Sequence, residues 1–242
     1  MQFSDKALII SKQKFNENSA IISVLCENNG KYKGLVRGVN SAKNRTIYQI
    51  GNLVNITWQA RLSQHLGYLN AELIEPLSMP CLNNMLKLFG LSSLCQMIDK
   101  TIAEREIQPD FFIKVIELIR KISLKSNWLV EYVLFEIELL KILGFALELN
   151  CCAATGTTTE LIYVSPNSGR AVSKEAGKPY AQKLLALPYF LIEKNLDYSN
   201  KTINNIEIKN GLILSKYFLN KYIFKAHNIN IPNIRIKLEE VI

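Results

Sequence analysis

This chain is short of the groups that most enzymes use for catalysis. Among 242 residues there are only two histidines, His65 and His227. Neither stands in a His-x-x-x-His or Glu-x-x-His arrangement, so a metallohydrolase has no support. No Gly-x-x-x-x-Gly-Lys-Ser/Thr loop is present, and Gly177-Lys178 lacks both the upstream glycine and the following hydroxyl, which removes P-loop nucleotide hydrolysis. Gly34 and Gly38 flank Val36-Arg37 without completing a dinucleotide fingerprint, and no Gly-x-Ser-x-Gly elbow occurs. The five cysteines (Cys26, Cys81, Cys95, Cys151, Cys152) are odd in number and unpatterned. They give no disulfide framework, and no histidine lies near Cys151 or Cys152 to activate a nucleophile. No run approaches the roughly 18 uncharged apolar residues of a membrane span. The opening Met1–Lys6 has no apolar segment of a secretory signal. The expectation is a cytoplasmic protein that is not an enzyme, holds no cofactor and meets no membrane.

A further absence points to function. Between residues 28 and 71 there is not one carboxylate, while Lys31, Lys33, Arg37, Lys43, Arg45 and Arg61 fall inside that stretch. Glu27 and Glu72 close its two sides. Charge of one sign on a β-rich module suits a polyanion, because each neutralised phosphate releases counterions and no neighbouring carboxylate opposes the gain. The whole chain carries a net charge of +8, with 48% hydrophobic and 21% charged residues, the composition of an ordinary globular protein.

The first 76 residues read as β. Expected strands are Lys6–Lys12, Ala20–Cys26, Lys31–Arg37, Asn52–Ala60 and Gly67–Ile74. Glu27-Asn28-Asn29-Gly30 is a turn signal between β-branched runs. Five strands in about 75 residues match a small barrel of the OB type, a common holder of single-stranded nucleic acid, and fit an SH3-like barrel less well. The polar stretch Val39–Gln49, with Lys43 and Arg45, is expected as a long loop at one mouth of that barrel. Bases stacking on Tyr48, Trp58 or Tyr68 while Lys and Arg track phosphates is the corresponding binding mode. Alternation alone leaves open whether Trp58 faces the core or solvent.

After Pro76 and Pro80 the texture becomes helical. Leu82–Ala103 is apolar at helical spacing, Pro109 opens a helix over Asp110–Ser123, and Trp128–Leu143 is apolar almost all round with Gly144 at its C-terminal cap. On that third helix Glu131, Glu138 and Lys141 share a side, and Glu136 falls opposite. Glu136 is therefore expected to be buried and to need an Arg or backbone partner, as a structural strut rather than a catalytic acid. Residues 150–180 read as a compact, turn-rich insert, and Ala181 to Ile242 as helical. The expected architecture is α+β and multidomain: a five-stranded OB-fold barrel over 1–78, then an all-α domain over 79–242 carrying the insert.

Particular segments resemble a known family. Ala7-Leu8-Ile9-Ile10, Ser19-Ala20-Ile21-Ile22-Ser23-Val24-Leu25, Gly34-Leu35-Val36-Arg37-Gly38, Gln49-Ile50-Gly51-Asn52-Leu53-Val54, and Arg61-Leu62 before Leu66-Gly67 resemble the start of the RecO family of bacterial recombination mediators. Leu140-x-x-Leu143-Gly144-Phe145, Cys152-Ala153-Ala154-Thr155-Gly156 and Tyr163-Val164-Ser165-Pro166-x-x-Gly169-Arg170-Ala171-Val172-Ser173 resemble its alphaproteobacterial branch. The resemblance runs to about Pro188. It implies an N-terminal OB fold, a helical domain, and an insert that in many members holds a Cys₄ zinc site. Here Cys152 matches the first ligand position, but Thr155, Ser173 and Ala176 stand at the other three, so no zinc is expected.

The resemblance also implies binding of single- and double-stranded DNA, annealing of complementary strands, and, with RecR, loading of RecA on DNA covered by single-stranded-DNA-binding protein (SSB). The six basic residues named above are the expected DNA footprint. An alternative is an adaptor that docks the acidic, aromatic-ended SSB tail, with Lys216, Tyr217, Lys221 and Phe224 as its partner site and incidental nucleic-acid binding.

Overall fold

The computed structural model describes residues 1–62, 65–125, 127–192 and 203–242. Two compact units divide between Leu124 and Lys125. The first contains β1 (Gln2–Lys14), β2 (Ser19–Cys26), β3 (Gly30–Arg37), α1 (Ala42–Ile47), β4 (Leu53–Gln59), β5 (Gly67–Glu75), α2 (Met85–Thr101) and α3 (Pro109–Leu124). Its five strands close in the order β1-β2-β3-β5-β4, with β4 returning to β1. The barrel's end follows the change of texture at Pro76. Compactness divides the chain further on, so α2 and α3 belong to the same unit as the strands.

Closure takes place at β3 and β5, through a short parallel contact that pairs Gly34 with Gly67 and Leu35 with Tyr68. Both glycines are there for room. A Cβ on Gly67 would stand 2.3 Å from the Trp58 ring, and one on Gly34 would stand 2.5 Å from Leu69 Cβ. Trp58 is turned inward, 1% exposed, which settles the face that alternation left open. Its indole Nε1 donates to the Lys33 carbonyl oxygen at 2.9 Å, tying β4 to β3 past Gly67. Phe3 and Tyr32 complete the cluster, with ring centroids 5.5 and 5.1 Å from Trp58. The turn after β2 is held by the buried Asp5 carboxylate, which accepts from the Asn28 backbone N–H and from the side-chain amides of Asn28 and Asn29 at 2.7–3.0 Å.

The stretch expected as a long loop contains a helix instead. Ser41 Oγ caps α1 by accepting from the Asn44 N–H, and the Asn52 amide donates to the Thr46 carbonyl at 2.8 Å near the other end. These local bonds outweigh the polar composition that read as loop. Ile47 and Tyr48 enter the barrel core, and Tyr48 Oη accepts from the Ala71 N–H at 3.0 Å. The helix thereby becomes a lid on one end of the barrel.

The second unit contains α4 (Trp128–Ile142), β6 (Leu161–Val164), β7 (Ala171–Ser173), α5 (Lys174–Gly177), β8 (Leu185–Ala186), α6 (Asn205–Leu219), a π turn at Asn220–Phe224, and α7 (Asn233–Glu240). Gly144 follows α4 in the left-handed region (φ +87°). The Phe145 N–H then returns to the Leu140 carbonyl, as a glycine-capped helix end requires. The insert is more than turns: it forms a three-stranded sheet ordered β7-β6-β8. The helical reading of Ala181 to Ile242 is correspondingly corrected for its first part, where β8 and short 3-10 turns stand. Its portion at 193–202 lies outside the described residues.

Glu136 is fully buried, and its partners come from the other helices of this unit. Arg235 of α7 grips it with Nε and Nη2 at 2.5 and 2.8 Å, and Ser215 Oγ of α6 donates at 2.6 Å. Arg235 Nη2 also reaches the Leu212 carbonyl, and Nη1 reaches Glu239 at 3.3 Å. The strut reading therefore holds, with α4, α6 and α7 bound through one bidentate pair.

Two predictions follow from this packing. Gly67→Ala drives a methyl into the Trp58 ring and is expected to destabilise the first unit by about 1–3 kcal/mol, read from its unfolding midpoint in urea. Arg235→Met strands the Glu136 charge and is expected to remove about 3–5 kcal/mol from the second unit, read the same way. A loss below about 1 kcal/mol would contradict the strut.

Candidate nucleic-acid interface

The tip between β1 and β2 is a four-residue turn, Phe15 to Asn18, and it is held from two directions. The Phe15 and Asn16 N–H groups both donate to the Ser19 carbonyl, and Asn16 Oδ1 accepts from the Asn18 N–H at 3.1 Å. From the β3–α1 connection, the Val39 N–H donates to the Asn18 carbonyl and the Asn40 amide donates to the Glu17 carbonyl at 2.6 Å. Ser19 is the register partner of Arg37 at the end of β3. Gly38 follows immediately, and its carbonyl accepts from both the Ser41 N–H and the Asn44 amide at the start of α1. The β1–β2 tip, the end of β3 and α1 are thus gathered at one end of the barrel.

The cations at that end are exposed. Lys12 and Lys14 occupy the last part of β1, and Lys43 and Arg45 stand on α1. Partial burial, and then the nearby Arg45 charge, hold the Lys12 ammonium below its ordinary value, so these two cations share a field. Arg37 lies over the Tyr68 ring at 4.8 Å and donates through Nη2 to Tyr68 Oη at 2.8 Å. Tyr68 remains half exposed. Arg61 is exposed in the β4–β5 connection. Among the described residues no carboxylate forms an ion pair with any of these six.

Two members of the expected footprint are withdrawn from it. Lys31 is only 5% exposed, and its ammonium donates to the Asp99 carbonyl at 2.6 Å. Burial pushes its pKa down, against the pull of the Asp99 carboxylate. Lys33 is paired with Glu104 at 2.9 Å, and each holds the other in its charged form. Both carboxylates come from α2 and the residues just after it, which run beside β3: Lys31 bridges to Glu104, and the Arg105 N–H donates to the Lys31 carbonyl. A stretch free of acids along the chain is therefore not free of them in space. Of the aromatic candidates, Trp58 and Tyr48 are core and Tyr68 is the one at the surface.

Sequence reasoning missed Lys12, Lys14 and Phe15. The available signal was Phe15 itself, a large apolar residue inside the polar run Gln13-Lys14-Phe15-Asn16-Glu17-Asn18, where no strand alternation accounts for it.

The partner site expected on the second unit does not assemble. Phe224 is fully buried, Lys216 is paired with Glu239 at 2.5 Å, and Lys221 donates to the carbonyls of Pro166 and Asn167. Only Tyr217 is left exposed. His65 and His227 lie in separate units, and His227 Nδ1 meets the Ile223 carbonyl at 2.8 Å.

The model of the recombination protein O N-terminal domain matches residues 1–77, and that of the recombination protein O C-terminal domain matches residues 82–228. The chain belongs to the RecO family. It is 40% identical to the DNA repair protein RecO of Orientia tsutsugamushi (strain Ikeda) over 223 residues, 92% of this chain and 91% of the relative. Against the protein of that name from Rickettsia akari (strain Hartford) the identity is 40% over 235 residues, 97% of this chain and 95% of the relative.

The zinc site that this family implies does not fit the residues present. The donor set around the position is one sulfur and two hydroxyls, with Ala176 contributing none. Cys152 Sγ accepts instead from the Ser173 N–H at 3.3 Å. Among the described residues no three His, Cys, Asp or Glu side chains converge as a metal site. Burial alone would push the Cys152 thiol up. Hydrogen bonds from the Ser173 and Thr155 side chains and from backbone N–H groups of Ser173 and Ala154 outweigh it and bring the thiol down to about 6.

The pH consequence has a definite sign. An unfolded thiol titrates near 9.0 and this one near 6, so folding expels a proton between those values. The contribution is complete above the unfolded pKa and is lost as pH falls through the folded one. Stability of the wild type is expected to decline between pH 9 and pH 6 more steeply than that of Cys152→Ala, measured by urea unfolding across a pH series. Parallel curves would refute it.

Proposed function

We propose that this chain is a DNA-binding recombination mediator in DNA repair and not an enzyme. It binds single- and double-stranded DNA, anneals complementary strands and, with RecR, helps load RecA on single strands covered by SSB. The observation that carries the reading is the barrel end where Lys12, Lys14, Arg37, Lys43 and Arg45 gather without a carboxylate partner. Annealing requires no catalytic group. It requires a surface that lowers the repulsion between two phosphate backbones while the bases stay free to pair.

Five or six phosphate contacts on this end correspond to a salt slope of roughly −4 for a single strand. Mass action alone then makes the complex tight at low salt and readily released near physiological salt, as a protein that hands its strand onward needs.

The test is a fluorescence annealing and binding assay across a salt series, with and without SSB. Lys43→Glu combined with Arg45→Glu is expected to slow annealing at least tenfold at low salt and to flatten the single-strand salt slope by about 1 to 1.5. Unchanged binding at low salt would place the footprint elsewhere on the molecule.

A further inference from the structure

We propose that the tip of the β1–β2 hairpin is a site for unpaired nucleotide bases, with Phe15 as the stacking residue that distinguishes single strands from duplex. The inference rests on the nucleic-acid reading above and adds a position and a selectivity to it. Phe15 is 57% exposed, on a turn where no packing need explains an aromatic ring. Single exposed apolar side chains are common on folded surfaces, so it is the neighbours of Phe15 rather than its exposure that point to a partner.

Lys12 and Lys14 lie on β1 just before Phe15, Arg45 shares the field of Lys12, and Ser19, whose carbonyl accepts from the Phe15 N–H, is paired with Arg37. Arg37 in turn lies over the half-exposed Tyr68. One exposed ring thus carries a guanidinium, and a second stands on the neighbouring turn at the cationic end of a small barrel. That combination matches a strand whose phosphates are held by cations and whose bases lie flat on rings. Glu17 is the one carboxylate of the turn, two residues beyond Phe15. Its backbone is fixed by Asn40, on the side of the β3–α1 connection.

The turn is also preorganised. The Asn16 side chain closes it internally, and Val39 and Asn40 anchor it from outside, so little ordering is required when a base arrives. In duplex DNA the base faces are already stacked on one another and cannot reach the ring. The site therefore favours unpaired nucleotides, and it leaves the edge of each base that takes part in pairing uncovered.

The experiment uses the full chain, a fluorescent single-stranded oligonucleotide, the same oligonucleotide made abasic at successive positions, and the matching duplex. Wild type is expected to bind the base-containing strand more tightly than the abasic one. Phe15→Ala should lower affinity for the base-containing strand by roughly five- to a hundredfold, with little change for the abasic strand or the duplex and an unchanged salt slope. Phe15→Trp should restore binding and quench 2-aminopurine placed in the strand. Equal affinity of wild type for base-containing and abasic strands overturns the stacking site while leaving the phosphate footprint intact. So does an equal loss by Phe15→Ala on all three ligands. If wild type binds none of them at low salt, the nucleic-acid reading itself fails and the site with it. The residue is exposed, so a thermal melt matching wild type is expected and checks that the comparison is between folded proteins.

Discussion

The first unit depends on the Trp58 indole lying across Gly67 and donating to the Lys33 carbonyl. A barrel of five strands must find a way to join two strands that are not hairpin neighbours, and here β3 meets β5 for only a short parallel stretch. The indole spans that weak seam. It can do so only because the residue beneath it has no side chain. The geometry of the surface follows from the same contact. Pairing Gly34 with Gly67 sets Leu35 opposite Tyr68, and two residues further Arg37 falls over the Tyr68 ring. The seam that closes the barrel thus also creates the cation–aromatic pair at its rim.

Charge shows where reading along the chain stops being a guide to space. Six cations without an acid between residues 28 and 71 were visible at once. The two that reach the interior or an ion pair were not, because Asp99 and Glu104 arrive from about seventy residues away. Lys31 and Lys33 hold the segment after α2 against β3, a structural task for which a local acid-free run gives no hint. Conversely Lys12 and Lys14 sit outside the run, yet the β1–β2 turn carries them to the same end as α1. The strands themselves were legible, since β-branched alternation and Asn-Gly turn chemistry are local. The α1 lid was not, because its caps are single side chains, Ser41 and Asn52, in a segment too short for periodicity to show.

In the second unit the same division holds. That Glu136 would be buried could be read from its place opposite Glu131, Glu138 and Lys141 on one helix. That Arg235 would meet it could not, with 99 residues between them. Cys152 is an intermediate case. The family pattern identified its position, and the missing ligands excluded the usual tetrahedral site. The structure adds what surrounds the sulfur: N–H and O–H donors converge on it. Those hydrogen bonds bring the thiol down and so make its contribution to the turn depend on pH, beside the three short strands of the insert's sheet.

These features bear on how one surface could serve the annealing proposed above. Holding a strand and presenting it for pairing are competing demands, because the tightest way to bind a base is through the hydrogen-bonding edge that its complement needs. Phosphate contacts avoid the conflict, since they use only the backbone. Stacking avoids it as well, since a ring covers the flat face of a base and leaves its edge open. A rim of lysines and arginines with one or two exposed rings therefore supplies affinity without sequence preference and without blocking the complement. On that reading it would also make release easy. When a second strand pairs, the bases restack on each other, the rings lose their partners, and only salt-labile phosphate contacts remain. On the proposed reading the product would be bound more weakly per nucleotide than the separated strands, which would give the exchange a direction without any step that consumes chemical energy.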